Sequence, residues 1–343
     1  MSDLDLAQYT TLRVGGPARG LVVAESTEQL VTAAKLAAEI EQPILLIGGG
    51  SNLLISDAGF GGTAVLVRSR GIEATSHSDG SVRVAVAAGE VWDDLVAWAV
   101  AQGLSGIESL SGIPGCVGAG PIQNIGAYGQ EVGDVIERVD AVHRYTGAER
   151  TFTRAECEFG YRTSTFKQRK DVFVITRVHL RLTPSELSGP ISYADLVAEL
   201  GLEQGAAASL HDVRSAVLAV RRRKAMVLDA SDHDTWSAGS FFTNPIVSAA
   251  AADALPATAP RWVQPDGAVK VSAAWLIEGA GFTRGYGTGS ARLSSKHVLA
   301  LTNADGRASA ADVVALAREI RASVVTAYGI ELVPEPVFVG LEL

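Results

Sequence analysis

The stretch SGIPGCVGAGPIQNIGAYG, residues 111–129, constrains this chain more than any other. Six glycines in nineteen residues leave too few bulky side chains for a core helix, while the interspersed Ile, Val and Pro make it too apolar for a linker. Glycine is used where the backbone needs positive φ or where something approaches the main chain closely. Two readings fit the composition: a buried crossover loop with unusual turns, or a folded surface pressed against a flat ligand.

A second glycine loop stands earlier in the chain. Residues 43–47, PILLI, read as a buried parallel strand running into Gly48-Gly49-Gly50-Ser51-Asn52. Glycine leaves backbone N–H groups free to face an anion, so this loop resembles a phosphate cradle; a bare strand turn also fits. It lacks the Lys-Ser/Thr ending of a P-loop and the helix that a dinucleotide-binding turn opens. Residues 118–123 spell G-x-G-x-x-Q rather than a complete G-x-G-x-x-G, which argues against a Rossmann dehydrogenase.

Length and charge narrow the possibilities. A chain of 343 residues can build two or three domains with cores. A net charge of −9 argues against nucleic-acid binding, so an anionic ligand needs a local basic cluster. No stretch reaches the roughly 18 apolar residues of a membrane span, so no membrane insertion is expected. The acidic start, MSDLDL, has no apolar run, so a secretory signal is not evident and a cytoplasmic location is expected. Cys116 and Cys157 are too few for a disulfide framework or a zinc site, and no metal is expected.

Periodicity supplies a coarse map. Strands are expected at 21–24, 43–47, 63–67, 82–87, 139–145, 172–182 and 330–339. Helices are expected to begin near Ser26, Trp92, Ser192, His211, Ser248, Ser272 and Ser309. The basic run Arg221-Arg222-Arg223-Lys224 is expected to complement a helix dipole and sit in water. A shift towards Asp, Ser and His at 225–240 suggests a domain boundary.

These segments together resemble the UDP-N-acetylenolpyruvoylglucosamine reductase family over nearly the whole chain. The markers are GGGSN at 48–52, IPGCVG at 113–118, PIQNIGAYG at 121–129, FGYR at 159–162, GSFF at 239–242 followed by Asn244-Pro245, and Pro334-Glu335. ISYADL at 191–196 resembles the form of the family that carries a substrate-loop tyrosine. Two departures are Gly49, where the family often has Glu, and Thr243, where it often has Lys. The resemblance implies an α+β chain. Its FAD-binding fold would be of the vanillyl-alcohol-oxidase (PCMH) type, in two subdomains at 1–67 and 68–224, with a separate α/β substrate-binding domain at 225–343.

The resemblance further implies an NADPH-dependent reductase of UDP-N-acetylglucosamine enolpyruvate that forms UDP-N-acetylmuramate for peptidoglycan. It would be expected as a monomer with non-covalent FAD, and an oxidase on the same fold is the alternative. Gly48, Gly49, Gly50, Ser51 and Asn52 would hold the FAD pyrophosphate. Ile113, Pro114, Gly115, Gly118, Gln123, Asn124, Gly126, Ala127 and Tyr128 would lie against the isoalloxazine. Arg162 would grip the enolpyruvyl carboxylate, Glu335 would hold the enediolate, and Ser240 would protonate the carbon. Tyr161, Tyr193, Lys224, Asn244 and Lys270 would contact the substrate. Taken without the resemblance, Ser240 reads equally as a turn residue, Glu335 as a strand-edge charge and Arg162 as a solvated one.

Overall fold

The computed structural model describes residues 4–169 and 172–343. The chain divides into two compact units, Ala18–Gly49 with Gly61–Val227, and Met1–Pro17 with Gly50–Phe60 and Leu228–Leu343. It crosses from one to the other at 17/18, 49/50, 60/61 and 227/228. The finer division expected at 67/68 is a proposal about subdomains, and its first residues, 1–3, lie outside the described residues.

In the larger unit, Ile44–Ile47 pairs in parallel with Phe60–Val67, Ile47 lying opposite Leu66, and Ala18–Ala24 completes that sheet. The helix Thr27–Glu39 starts where the Ser26 side chain accepts from Gln29 N–H. It buries Leu30, Ala34 and Ala37, one stripe at helical spacing. A larger antiparallel sheet runs in the order Glu149–Thr153, Ile136–His143, Phe173–Pro184, Val82–Ala87, Ile72–Ser76. Its core face carries Val139, Val178, Leu180, Val84 and Val86, packed with Leu95 and Val96 of the helix Trp92–Ala101. Ile72–Ser76 and Glu149–Thr153 went unanticipated because their side chains are mostly exposed and polar, leaving no apolar alternation to read. The helices Ala194–Leu200 and Leu210–Arg223 share a small separate core of Leu196, Val213, Val217 and Val220.

The smaller unit is built on the helix Ala310–Tyr328. A Ser309–Asp312 capping box starts it, and Gly329, at φ 65°, ends it. Its stripe Val313, Ala317, Ile320 and Val324 shares a core with Leu276 and Ile277 of the helix Ala273–Gly279, and with the fully buried Phe241 and Phe242. Leu53–Ile55 and Val337–Val339 pair in parallel. Of the strand expected at 330–339, only Val337–Val339 is regular. Pro334 and Pro336 interrupt the rest, since proline has no N–H to give a ladder. Among the described residues, no helix is long and apolar enough to cross a membrane, and no His, Cys, Asp and Glu group could hold a metal.

Candidate functional site

The larger unit packs the two glycine segments closely against each other. A Cβ at Gly49 would lie 2.6 Å from Gly115 Cα, and one at Gly48 would lie 3.2 Å from Cys116 Cβ. Main chain therefore crowds Gly49 and the Cys116 side chain crowds Gly48, contacts that composition alone does not separate from ligand contact. Gly49 is itself exposed, as is one side of Ile113, Pro114 and Gly115, whereas Cys116, Val117 and Gly118 are buried. Among the described residues, the N–H of Gly49 meets no acceptor. Arg68 holds the loop from behind, with Nη1 donating to Gly48 O at 2.8 Å and Val67 O at 2.9 Å, and a long contact to Ile47 O at 3.5 Å.

The long glycine segment is fastened to the start of the helix Trp92–Ala101. Trp92 N–H donates to Gly115 O at 3.0 Å, Val117 N–H to Glu90 O at 2.9 Å and Gly118 N–H to Ala88 O at 2.9 Å. Gly112 N–H donates to Asp93 Oδ1 at 2.6 Å, and Arg214 holds both oxygens of the same carboxylate at 2.6 and 2.9 Å. Burial pushes the Asp93 carboxyl up, but the Arg214 and Gly112 bonds outweigh it and hold the group below its ordinary value. Burial also pushes the Cys116 thiol up, with opposition from Arg68 and Arg70. That leaves little thiolate for a covalent flavin link.

Further along, Asn124 and Arg162 are locked together. Asn124, at φ 47°, is 1 % exposed. Its amide accepts from Gly133 N–H at 2.9 Å and donates to Glu131 Oε2 at 2.7 Å and Gly160 O at 3.1 Å. Arg162 adopts φ 52°, a strained conformation for this residue type. Its guanidinium donates to Gly126 O at 2.7 Å and Asn124 O at 3.3 Å, with the Tyr161 ring centroid 5.5 Å away. The PIQNIGAY and GYR motifs are thus one substructure. Gln123 and Ala127 lie in the same partly exposed segment.

A third group gathers Tyr128, Tyr193 and Lys224. Tyr128, at φ 51°, meets the ring of Tyr193 edge-on at 5.1 Å, and Tyr193 is 47 % exposed. Lys224 Nζ lies 2.5 Å from Asp195 Oδ2. Burial pushes the Tyr128 hydroxyl up, opposed by Arg221 and Lys224. The basic run is not uniformly solvated: Arg222 and Arg223 are exposed, but Arg221 is only 8 % exposed and donates to Met226 O at 2.8 Å. Burial lowers the Arg221 pKa, and Tyr128 and Asp93 oppose that shift. Sequence reading passed over Arg68, Asp195 and Arg221. The four-residue basic run was the only signal for Arg221, Asp195 lay within the ISYADL segment without being singled out, and nothing local marked Arg68.

In the smaller unit, Gly50 turns at φ 63°, where a Cβ would collide with the Tyr9 carbonyl. Asn52 Nδ2 donates to Glu335 O at 3.3 Å, and Val337 N–H donates to Asn52 O at 2.8 Å, with Ser51 between Gly50 and this anchored asparagine. Glu335 N–H donates to Phe241 O at 2.8 Å, and Thr243 N–H donates to Val333 O at 3.0 Å. Phe242 bridges Pro334 between those rungs. This short antiparallel ladder sets Ser240 and Glu335, both half-buried, at neighbouring positions although 95 residues apart in sequence. Asn244 Oδ1 accepts from Ala273 N–H at 2.9 Å, holding the start of a helix. Lys270 lies on Val269–Val271 with Nζ 5.8 Å from the Trp262 ring centroid.

Comparison with known proteins bears on these same segments. Residues 18–152 match the family described as "FAD binding domain", and residues 230–339 match "UDP-N-acetylenolpyruvoylglucosamine reductase, C-terminal domain". A UDP-N-acetylenolpyruvoylglucosamine reductase of Thermobifida fusca is 50 % identical, over 99 % of this chain and 98 % of the relative. One of Cutibacterium acnes is 50 % identical, over 98 % and 90 %. The crystal structure of UDP-N-acetylenolpyruvylglucosamine reductase from Thermus caldophilus, 27 % identical, superposes with a TM-score of 0.66 and covers 97 % of each chain. The glycine loops fall within the flavin-domain match and the Ser240–Glu335 ladder within the C-terminal match. With half its residues shared end to end, the chain belongs to the UDP-N-acetylenolpyruvoylglucosamine reductase family.

Proposed function

We propose that this chain is an FAD-dependent enzyme that uses NADPH to reduce the enolpyruvyl ether of UDP-N-acetylglucosamine enolpyruvate, giving UDP-N-acetylmuramate. Bound FAD supplies the two-electron chemistry that links NADPH to the carbon–carbon double bond. The residues present fit that cofactor: Gly49 offers an exposed N–H without an acceptor among the described residues, and Gly50 turns where only glycine is free of collision. The backbone of 113–115 supplies a thin surface beside Gly49, suited to a flat group. Asn124, whose amide is committed to Glu131, Gly133 and Gly160, serves this surface as a clamp.

Reduction at the terminal vinyl carbon leaves negative charge on the carbon beside the carboxylate, delocalised as an enediolate. That charge calls for preorganised donors, and the carbon calls for a proton. The forked guanidinium of Arg162, already held by Gly126 and Asn124, binds the carboxylate. Glu335, fixed at its backbone by Phe241 and Asn52, hydrogen-bonds the enediolate in its protonated form. Ser240, with no hydrogen-bond partner for its hydroxyl among the described residues, delivers the proton. Tyr193, Lys224, Tyr161, Asn244 and Lys270 contact the substrate, Lys224 exchanging Asp195 for phosphate oxygen.

The observation that supports this reading is the ladder between 241–243 and 333–335, which sets Phe241 against Glu335, with Ser240 as the residue just before Phe241. Stopped-flow absorbance tests it. Ser240→Ala should bleach the flavin with NADPH at the wild-type rate, yet recover colour with enolpyruvyl substrate at least about 100-fold more slowly, the usual range for loss of a general acid. Normal recovery would remove Ser240 from the proton's path.

A further inference from the structure

Among the described residues, the Arg68 guanidinium bonds only to carbonyl oxygens, those of Gly48 and Val67, with Ile47 O at the edge of reach. No carboxylate among the described residues pairs with it. A cation so placed polarises the peptides it touches and fixes their orientation. In a planar trans peptide the C=O and the following N–H point in opposite directions. With Gly48 O turned onto Arg68, the N–H of Gly49 is held facing the other way. That N–H belongs to an exposed glycine and meets no acceptor among the described residues. The longer contact to Ile47 O biases the Gly48 N–H in the same sense. Glycines lack a side chain to restrain them, so an unanchored Gly48–Gly49 peptide could flip and present its carbonyl to an anion.

We propose that Arg68 is a positioning residue for the cofactor diphosphate: it grips the outward carbonyl of Gly48 so that the Gly49 N–H is preset to donate to a phosphate oxygen. This rests on the FAD assignment above and adds a residue that stands behind the loop rather than against the ligand. The loop thereby gains a cation's influence without spending a side chain on the ligand side, where Gly49 abuts Gly115.

The test uses purified holoenzyme and two variants, Arg68→Met and Arg68→Lys. FAD affinity is measured by equilibrium ultrafiltration. Phosphorus NMR and visible absorption are then recorded at saturating FAD. Arg68→Met should weaken FAD binding by about tenfold, the size of one charge-assisted hydrogen bond. It should also shift the bound diphosphate resonances while leaving the isoalloxazine absorption bands in place. Arg68→Lys, which keeps a donor for the same carbonyls, should regain part of the affinity. FAD affinity within about twofold of wild type in Arg68→Met, unmoved phosphorus resonances, or no regain in the lysine variant would each overturn the proposal. A uniform change in both the phosphorus and the visible spectra would mean general collapse of the site and would overturn it too. Wild-type protein that takes up no FAD would instead overturn the cofactor assignment, which separates the two failures.

Discussion

Asn124→Ala is the substitution with the most to say about how the site is held. The residue is 1 % exposed, and of its three partners Gly133 is buried while Glu131 and Gly160 are half-buried, so its removal strands the Gly133 N–H above all. Two of the bonds, to Gly133 N–H and Gly160 O, are neutral, and the third, at 2.7 Å, reaches the Glu131 carboxylate. Neutral bonds contribute about 0.5–1.5 kcal/mol each and charged ones about 1.5–3, with more lost when a partner is stranded. Alanine at φ 47° adds about 1 kcal/mol of strain that asparagine tolerates better. The expected loss is about 3–5 kcal/mol, a large part of the roughly 5–15 kcal/mol total of a typical protein. In a unit of this size it should lower the melting temperature by about 10 °C. Far-UV circular dichroism with urea titration would measure it, and a double-mutant cycle with Glu131→Ala should return a coupling of about 1.5–3 kcal/mol for the charged bond. The same variant frees the peptides that hold the Arg162 guanidinium, so KM for the enolpyruvyl substrate should rise in the folded fraction. A stability loss below about 1 kcal/mol, with unchanged KM, would refute the clamp reasoning.

Three further outcomes follow from the same geometry. Arg162→Lys keeps the charge but loses the fork held on Gly126 and Asn124, so it should slow the substrate-driven half-reaction by at least about tenfold and spare the NADPH-driven half, read by stopped flow; equal loss in both halves would make Arg162 structural. The Asp93 carboxyl is held below its ordinary value, so its bond to Arg214 stabilises the fold fully above the unfolded pKa of about 3.9 and is lost as pH falls through the lower folded value. Asp93→Asn should therefore lower stability at neutral pH and flatten its decline below about pH 4, and parallel acid limbs in urea titrations would contradict this. Gly50→Ala should cost several kcal/mol, about 3 or more, and reduce soluble yield because its Cβ meets the Tyr9 carbonyl, whereas Gly61→Ala, with nothing within 4 Å, should melt as wild type does.

Much of the secondary structure was legible because its determinants are local. Ser26, Ser272 and Ser309 each cap a helix by accepting from an N–H three residues on, and their apolar stripes repeat every three or four positions, whereas the helix expected from His211 is capped earlier, by Ser209. The order of the glycine motifs, together with Gly239–Phe242 and Pro334-Glu335, carried the family resemblance that end-to-end identity bears out. Tertiary structure decided the rest. It assigned Gly50–Phe60 to the same unit as Leu228–Leu343, and registered Phe241 against Glu335 through a hydrogen bond that no local pattern encodes. It buried Arg221 while leaving Arg222 and Arg223 in water, because one helix turn presents only one side to the core. It also gave Gly49 its reason, the backbone of Gly115, some sixty-six residues away. Capping and periodicity act within a turn or two of chain and so can be read from the sequence, whereas the pairing of backbone donors and acceptors, and the burial of a particular charge, depend on which distant segment arrives beside them.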